Sequence, residues 1–273
     1  MKSWRRTIIK IASVIANRLP NNARLTLAQQ SNLIPITAAL YDTWRVHSLS
    51  LLTGEQYTLE REFALMTDWL EVKSDQNFLD VGTSTGNYAM ALAKKGARVT
   101  AIDISKPMLE KAQTRIQAEL EPAQAGLITL EQANAESLPY PDSSFDGVVL
   151  GATLNEFNST RAGLLECARV LKPGGRIFMM YLRQSDTGLG RAVQVLFEIG
   201  QIRFPNRENV RDTLQEAGLE RTRAELRRAV TIELFVKTGL ERANRAASNL
   251  AQTTPLSRPI GKPQREPLPP KSG

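Results

Sequence analysis

The stretch from Phe78 to Asp103 constrains this chain most. Phe78 to Val81 is a short apolar run ending at Gly82, as a buried parallel strand does. Gly82-Thr83-Ser84-Thr85-Gly86 is a turn of small residues. Tyr88 to Lys95 carries apolar residues at helical spacing, and Gly96 stops it. Arg98 to Ile104 is a second strand-like run with Asp103 near its end. Strand, glycine turn, helix, strand and acid make a nucleotide-binding βαβ unit, with the acid 21 positions after Gly82. Such a turn lets backbone N–H groups approach a ligand, and the acid accepts hydrogen bonds from two ribose hydroxyls.

The spacing is G-x-x-x-G, not the G-x-G-x-x-G that seats a pyrophosphate on a helix N-terminus. Asp80 stands just before the turn. An acid there repels phosphate and suits the ammonium group of an amino acid. The expected ligand therefore joins a ribose to a cationic amine, and S-adenosylmethionine fits that description better than a dinucleotide.

At 273 residues the chain has room for one sizeable α/β domain with appendages. The single cysteine, Cys167, excludes an internal disulfide and suits a reducing, cytoplasmic compartment. One histidine and one cysteine argue against a structural zinc site, so no metal is expected. The net charge of +7 sits at the two ends. Residues 1–24 hold six Lys/Arg and no acid, and residues 241–273 hold six against two acids. The body over 25–240 is mildly acidic, which weighs against a nucleic-acid-binding domain.

Residues 3–19 read as an amphipathic helix ended by Pro20, within a basic N-terminal element over 1–24. Trp4, Ile8, Ile11, Ile15 and Leu19 share one face, while Lys2, Arg6 and Lys10 share the other. Lys10 makes the run too short and too polar to span a bilayer, and a cleaved signal peptide is disfavoured for the same reason. Two readings stand: the stripe packs on the domain or a partner chain, or it lies on an anionic membrane surface. Residues 34–70 read as mostly helical around Thr53-Gly54, and contain Tyr41 and His47, the one imidazole in the chain.

Beyond Asp103, Ser105 is expected to cap a helix to Leu120 with Pro107 in its first turn. Strands follow over Leu127–Gln132 and Phe145–Leu150, then a helix over Ala162–Leu171. Lys172-Pro173-Gly174-Gly175 reads as a tight turn into a fifth strand, Arg176–Tyr181. An apolar helical insertion occupies 182–205. Asn206 caps a helix to Ala217, stopped by Gly218, and Glu220–Glu225 and Val230–Lys237 read as the last strands. The tail over 241–273 is Pro-rich, basic and poor in apolar residues, the composition of a disordered extension.

Three segments, L-D-V-G-T-S-T-G-N (79–87), A-N-A-E-S-L-P-Y-P-D-S-S-F-D (133–146) and A-R-V-L-K-P-G-G-R (168–176), occur in order. With them the chain resembles the class I S-adenosylmethionine-dependent methyltransferases over about 75–240, and the second segment looks most like the branch serving ubiquinone and menaquinone biosynthesis. The resemblance implies an α/β, Rossmann-like fold: a mainly parallel seven-stranded sheet with helices on both faces and a cofactor-binding core over about 75–181. It implies that Asp80, Gly82, Thr85 and Gly86 surround the methionine part and that Asp103 holds the ribose. Ile104, Met108, Asn134 and Ala135 would flank the adenine. Gly151 would face the sulfonium side and Tyr41 would lid the cofactor. Ser84 replaces the usual middle glycine of the first segment, and Asn155-Glu156 stands where many relatives carry histidine or an Arg-Asn pair.

The expected activity is methyl transfer to a small apolar or aromatic acceptor, quinone- or prenyl-lipid-like, with Glu156 and His47 the candidate bases; Glu156 reads equally as a solvated loop acid. Two other readings remain: a nucleic-acid methyltransferase using the basic ends, which lacks the Asn/Asp-Pro-Pro-aromatic motif, and a cofactor-binding protein without turnover.

Overall fold

The computed structural model describes residues 49–50, 52–54, 56, 58–198 and 202–238. The expected helix over 3–19, Tyr41, His47 and the tail over 241–273 lie outside the described residues. The elements run α1 (Leu59–Leu70), β1 (Asn77–Val81), α2 (Asn87–Ala93), β2 (Arg98–Asp103), α3 (Lys106–Glu119), α4 (Pro122–Ala125) and β3 (Ile128–Gln132). There follow β4 (Phe145–Gly151), a 3-10 turn (Thr153–Glu156), α5 (Thr160–Val170), β5 (Leu171–Leu182), α6 (Gly188–Glu198), α7 (Arg207–Glu216), β6 (Leu219–Arg227) and β7 (Val230–Lys237).

The seven strands form one sheet in the order β3-β2-β1-β4-β5-β7-β6. The first five are parallel, and β7 runs antiparallel between β5 and β6. Alternate residues of each central strand serve opposite faces. Leu79, Val148, Leu150, Ile177 and Met179 pack with Leu164 of α5 and Leu214 of α7. Phe78, Val149, Phe178 and Met180 pack with Met66 and Trp69 of α1 and Tyr88 of α2. Both faces are covered, which is why these strands read as near-continuous apolar runs rather than as alternation.

Local chemistry sets the helix starts. Ser105 accepts the Met108 N–H at 3.4 Å, Ser159 accepts that of Ala162 at 3.2 Å, and Asn206 accepts those of Glu208 and Asn209. Each such cap contributes about 1 kcal/mol.

One expectation is corrected. Lys172–Gly175 is not a separate turn ahead of the fifth strand: β5 begins at Leu171, which pairs with Phe145, and the register shifts between Phe145 and Gly147. The Lys172 ammonium holds this irregular start by reaching Asp146 at 2.9 Å, while the other Asp146 oxygen accepts the Asn77 N–H at the head of β1.

The loop from β3 to β4 is clamped from α5. Arg169 grips Glu166 through Nε and Nη2, both at 2.8 Å, and donates to the Tyr140 and Leu138 carbonyls and to Asp142. Glu166 in turn accepts the Leu138 N–H at 2.7 Å. Losing the guanidinium orphans these acceptors, so Arg169→Met should lower the unfolding free energy in urea by about 2 kcal/mol. The hydrogen bond and charge of Arg169 hold the Glu166 carboxyl below its ordinary value of 4.5. That part of the stability is complete above the ordinary value and is lost as the pH falls through the lowered one, so the variant should lose less on acidification than the wild type.

Candidate functional site

The crossovers through α2 and α3 lead away from β1 on one side, and β4 adjoins it on the other, so the sheet's order reverses between β1 and β4. Open α/β sheets bind ligands at such a point, outside the carboxyl ends of the strands.

At the end of β1, Asp80 is buried and its Oδ2 accepts the Thr83 hydroxyl at 2.6 Å and the Ala89 N–H at 3.1 Å. The Thr83 N–H reaches the Ile102 carbonyl at 2.8 Å, tying the turn to β2. Gly82, Ser84 and Gly86 all take left-handed backbone, with φ of 67°, 51° and 87°. At Gly82 a Cβ would lie 2.3 Å from the Thr153 side chain, so no other residue fits without displacing the turn after β4.

At the end of β2, Asp103 Oδ2 accepts the Ser84 N–H at 2.9 Å and Oδ1 accepts the Ser105 N–H at 2.8 Å. A carboxylate offers about four acceptor positions, so the backbone N–H groups leave capacity for a donor such as a ribose hydroxyl. Burial pushes the Asp103 carboxyl above its ordinary value, opposed by the N–H groups of Ser105, Ser84 and Ile104.

After β3, Asn134 Oδ1 accepts the Glu136 N–H at 2.9 Å, and its carbonyl accepts that of Ser137 at 3.0 Å. Glu136 bonds the N–H groups of Asn158 and Ser159, joining this loop to the start of α5. After β4, Ala152 is left-handed at φ 71°, and the 3-10 turn follows, with Thr153 Oγ1 donating to the Gly82 carbonyl at 3.3 Å.

One cleft results. Gly82, Ser84, Asp103, Ile104, Asn134 and Ala135 line it from the ends of β1, β2 and β3. Thr153, Asn155, Glu156, Phe157, Leu182 and Ile202 line it from the segments at and beyond the ends of β4 and β5. A smaller recess beside it is lined by Asp80, Gly82, Tyr88 and Gly151 among others. Tyr88 donates its hydroxyl to the buried Glu62, and its ring lies where a Cβ on Gly151 would clash at 2.7 Å.

Three residues expected around the ligand line neither space. Thr85 Oγ1 accepts from Arg115 at 3.1 Å, a Cβ on Gly86 would meet Ala112 at 3.3 Å, and Met108 is buried with its sulfur 3.6 Å from the Ser84 hydroxyl. They brace the turn from behind. Conversely, Thr153, Phe157, Leu182 and Ile202 were not singled out individually in the sequence; the signal for the first three was their place at or just past the carboxyl end of a strand. In urea, Gly82→Ala should cost about 3 kcal/mol, combining a strained φ with overpacking. Ser84→Gly should stay within about 1 kcal/mol of wild type, since relief of the left-handed strain offsets the added freedom of the unfolded chain.

Residues 79–179 match a family model described as a methyltransferase domain. The chain is 36% identical over 130 residues to a demethylmenaquinone methyltransferase of Symbiobacterium thermophilum, covering 46% of this chain and 49% of that one. It thus spans about half the length of that relative. It is 30% identical over 178 residues to the ubiquinone/menaquinone biosynthesis C-methyltransferase of Zymomonas mobilis, covering 57% of this chain and 72% of that one. Among solved structures, the YcgJ protein of Bacillus subtilis superposes with a TM-score of 0.58 at 18% identity, over 66% of this chain and 99% of that one, a likeness of fold. A match of this identity across more than two thirds of the Zymomonas mobilis protein, on a sheet of this order, places the chain in the class I S-adenosylmethionine-dependent methyltransferase family.

Proposed function

We propose that this chain transfers a methyl group from S-adenosylmethionine to a small apolar or aromatic acceptor of the quinone or prenyl-lipid kind. The observation that carries the donor half is Asp103: a half-buried carboxylate that lines the cleft at the end of β2, set beside a left-handed turn with no phosphate-binding glycine pattern. The residues fit the donor. Asp103 would take the ribose diol, Asn134, Ala135 and Ile104 would flank the adenine, and Asp80, Gly82 and Gly151 would face the amino-acid end. Thr85, Gly86 and Met108 would support that seat from behind, and Tyr41 would cover it. When bound, the donor supplies an electrophilic methyl group on a sulfonium.

The chain's own part is placement and exclusion of water. Phe157, Leu182 and Ile202 give the acceptor side an apolar wall, and Glu156 is the carboxylate on that side. Glu156 is the proposed base for a phenolic acceptor, with His47 the other candidate. The relatives, a demethylmenaquinone methyltransferase and a ubiquinone/menaquinone biosynthesis C-methyltransferase, support the acceptor class. No described helix is long and apolar enough to cross a membrane. The amphipathic, basic sequence of residues 1–24 suits contact with an anionic membrane surface, where a lipophilic acceptor would be met.

Incubation with methyl-labelled donor and a short-chain demethylmenaquinol tests the acceptor. Label in the quinol is expected, whereas label only in added RNA, or none despite donor binding, would overturn the proposal. Calorimetry tests the seat: Asp103→Ala should weaken S-adenosylhomocysteine binding by about 1–3 kcal/mol. The ribose needs the ionised carboxylate, and burial raises that carboxyl. Wild-type affinity should therefore fall on acidification at a pH above the ordinary aspartate range, an edge that Asp103→Ala lacks.

A further inference from the structure

Asn155 occupies a place in the cleft that neither donor binding nor proton transfer explains. It is buried, 4% exposed, in the 3-10 turn after β4. Its amide nitrogen donates to the Leu182 carbonyl at 2.8 Å and to the Arg203 carbonyl at 2.6 Å, and its Oδ1 accepts the Leu182 N–H at 2.9 Å. Its own carbonyl accepts the Arg203 N–H at 2.7 Å. Leu182 is the last residue of β5, where the chain leaves the sheet toward α6, and Arg203 lies where it returns toward α7. One amide side chain thus holds both ends of the stretch that carries α6. A second, weaker closure lies just beyond it, where the Gln184 N–H donates to the Pro205 carbonyl at 3.1 Å.

The two residues held in this way, Leu182 and Ile202 beside Arg203, both line the cleft that Asp103 also lines. We propose that Asn155 is a positioning residue for the acceptor: by pinning the exit and the return of this stretch it sets the separation of Leu182 and Ile202, and so the apolar wall against which the acceptor lies. The inference deepens the methyltransferase reading and rests on it for the identity of the acceptor. Only a primary amide performs this role, since the site asks for two donated bonds and one accepted bond. Aspartate would turn a carboxylate toward two carbonyl oxygens and has no donor for either.

The experiment compares the full-length wild type with Asn155→Ala and Ile202→Trp by three readouts: amide hydrogen exchange, calorimetry with S-adenosylhomocysteine, and turnover of a short-chain demethylmenaquinol. In Asn155→Ala, exchange should accelerate over 184–198 and stay unchanged in β1 and β4. Affinity for S-adenosylhomocysteine should remain within about threefold, because its proposed seat lies on other strand ends, while KM for the quinol rises on the order of ten- to a hundredfold through misplacement. Ile202→Trp should raise KM without altering exchange. Unchanged exchange over 184–198, or cofactor affinity falling as far as KM rises, would overturn the inference. If Asn155→Ala does not fold, an unchanged KM in Ile202→Trp overturns it. If the wild type leaves the quinol unmethylated, the acceptor reading fails, and the exchange and cofactor arms still decide whether Asn155 pins this wall.

Discussion

The hydrogen bond from the Ser84 N–H to Asp103 joins the turn after β1 to the end of β2, and the cleft is arranged around it. For that N–H to point at the carboxylate, Ser84 must sit in the left-handed region, a conformation that costs a non-glycine residue of the order of 1–3 kcal/mol. The surroundings supply the compensation. Asp80 fixes one side of the turn through Thr83 and Ala89, and Thr83 bonds β2. Arg115 fixes the other side from α3 through the Thr85 carbonyl and hydroxyl. The strained turn is thus over-determined by its neighbours, and the same carboxylate that receives it lines the cleft.

The sequence segments that mark the family divide into parts that face the cleft and parts that hold it. In the second segment Asn134 and Ala135 face the cleft, while Glu136 captures the N–H groups at the start of α5 and Asp146 bonds the head of β1. In the third segment Arg169 clamps the loop carrying Asn134, and Lys172 reaches Asp146. These bonds couple the start of β1 and the loop before β4 to the start of β5. A change at Arg169 or Asp146 would therefore be felt at the cleft although neither side chain lines it.

Much of the fold was legible because its signals are local. Short apolar runs bounded by glycine gave the parallel strands, and Ser105 and Asn206 gave the starts of α3 and α7. The Gly82–Asp103 spacing pointed to the acid at the end of β2 that the turn bonds, the proposed ribose anchor. What was hidden depends on partners far along the chain. Nothing in Leu171-Lys172-Pro173 announces a strand, because its order comes from pairing with Phe145 and from Asp146. Asn155 read as a departure from the usual residues after the fourth strand, and its bonds to Leu182 and Arg203 cannot be seen without the return of the chain beyond α6. Thr85, Gly86 and Met108 were assigned toward the ligand by resemblance alone; that Thr85 and Gly86 meet Arg115 and Ala112 of α3, and that Met108 of α3 lies under Ser84, depends on contacts between distant parts of the chain.

The central claim is that the mouth between the ends of β1, β2 and β4 seats the methyl donor with Asp103 on the ribose. A crystal structure of the protein grown with S-adenosylhomocysteine tests it most directly. Both Asp103 oxygens are expected within hydrogen-bond distance of the ribose hydroxyls, the adenine beside Ile104 and Asn134, and the amino-acid end near Asp80. Ligand density elsewhere, or a ribose that leaves Asp103 bonded to backbone alone, would contradict it.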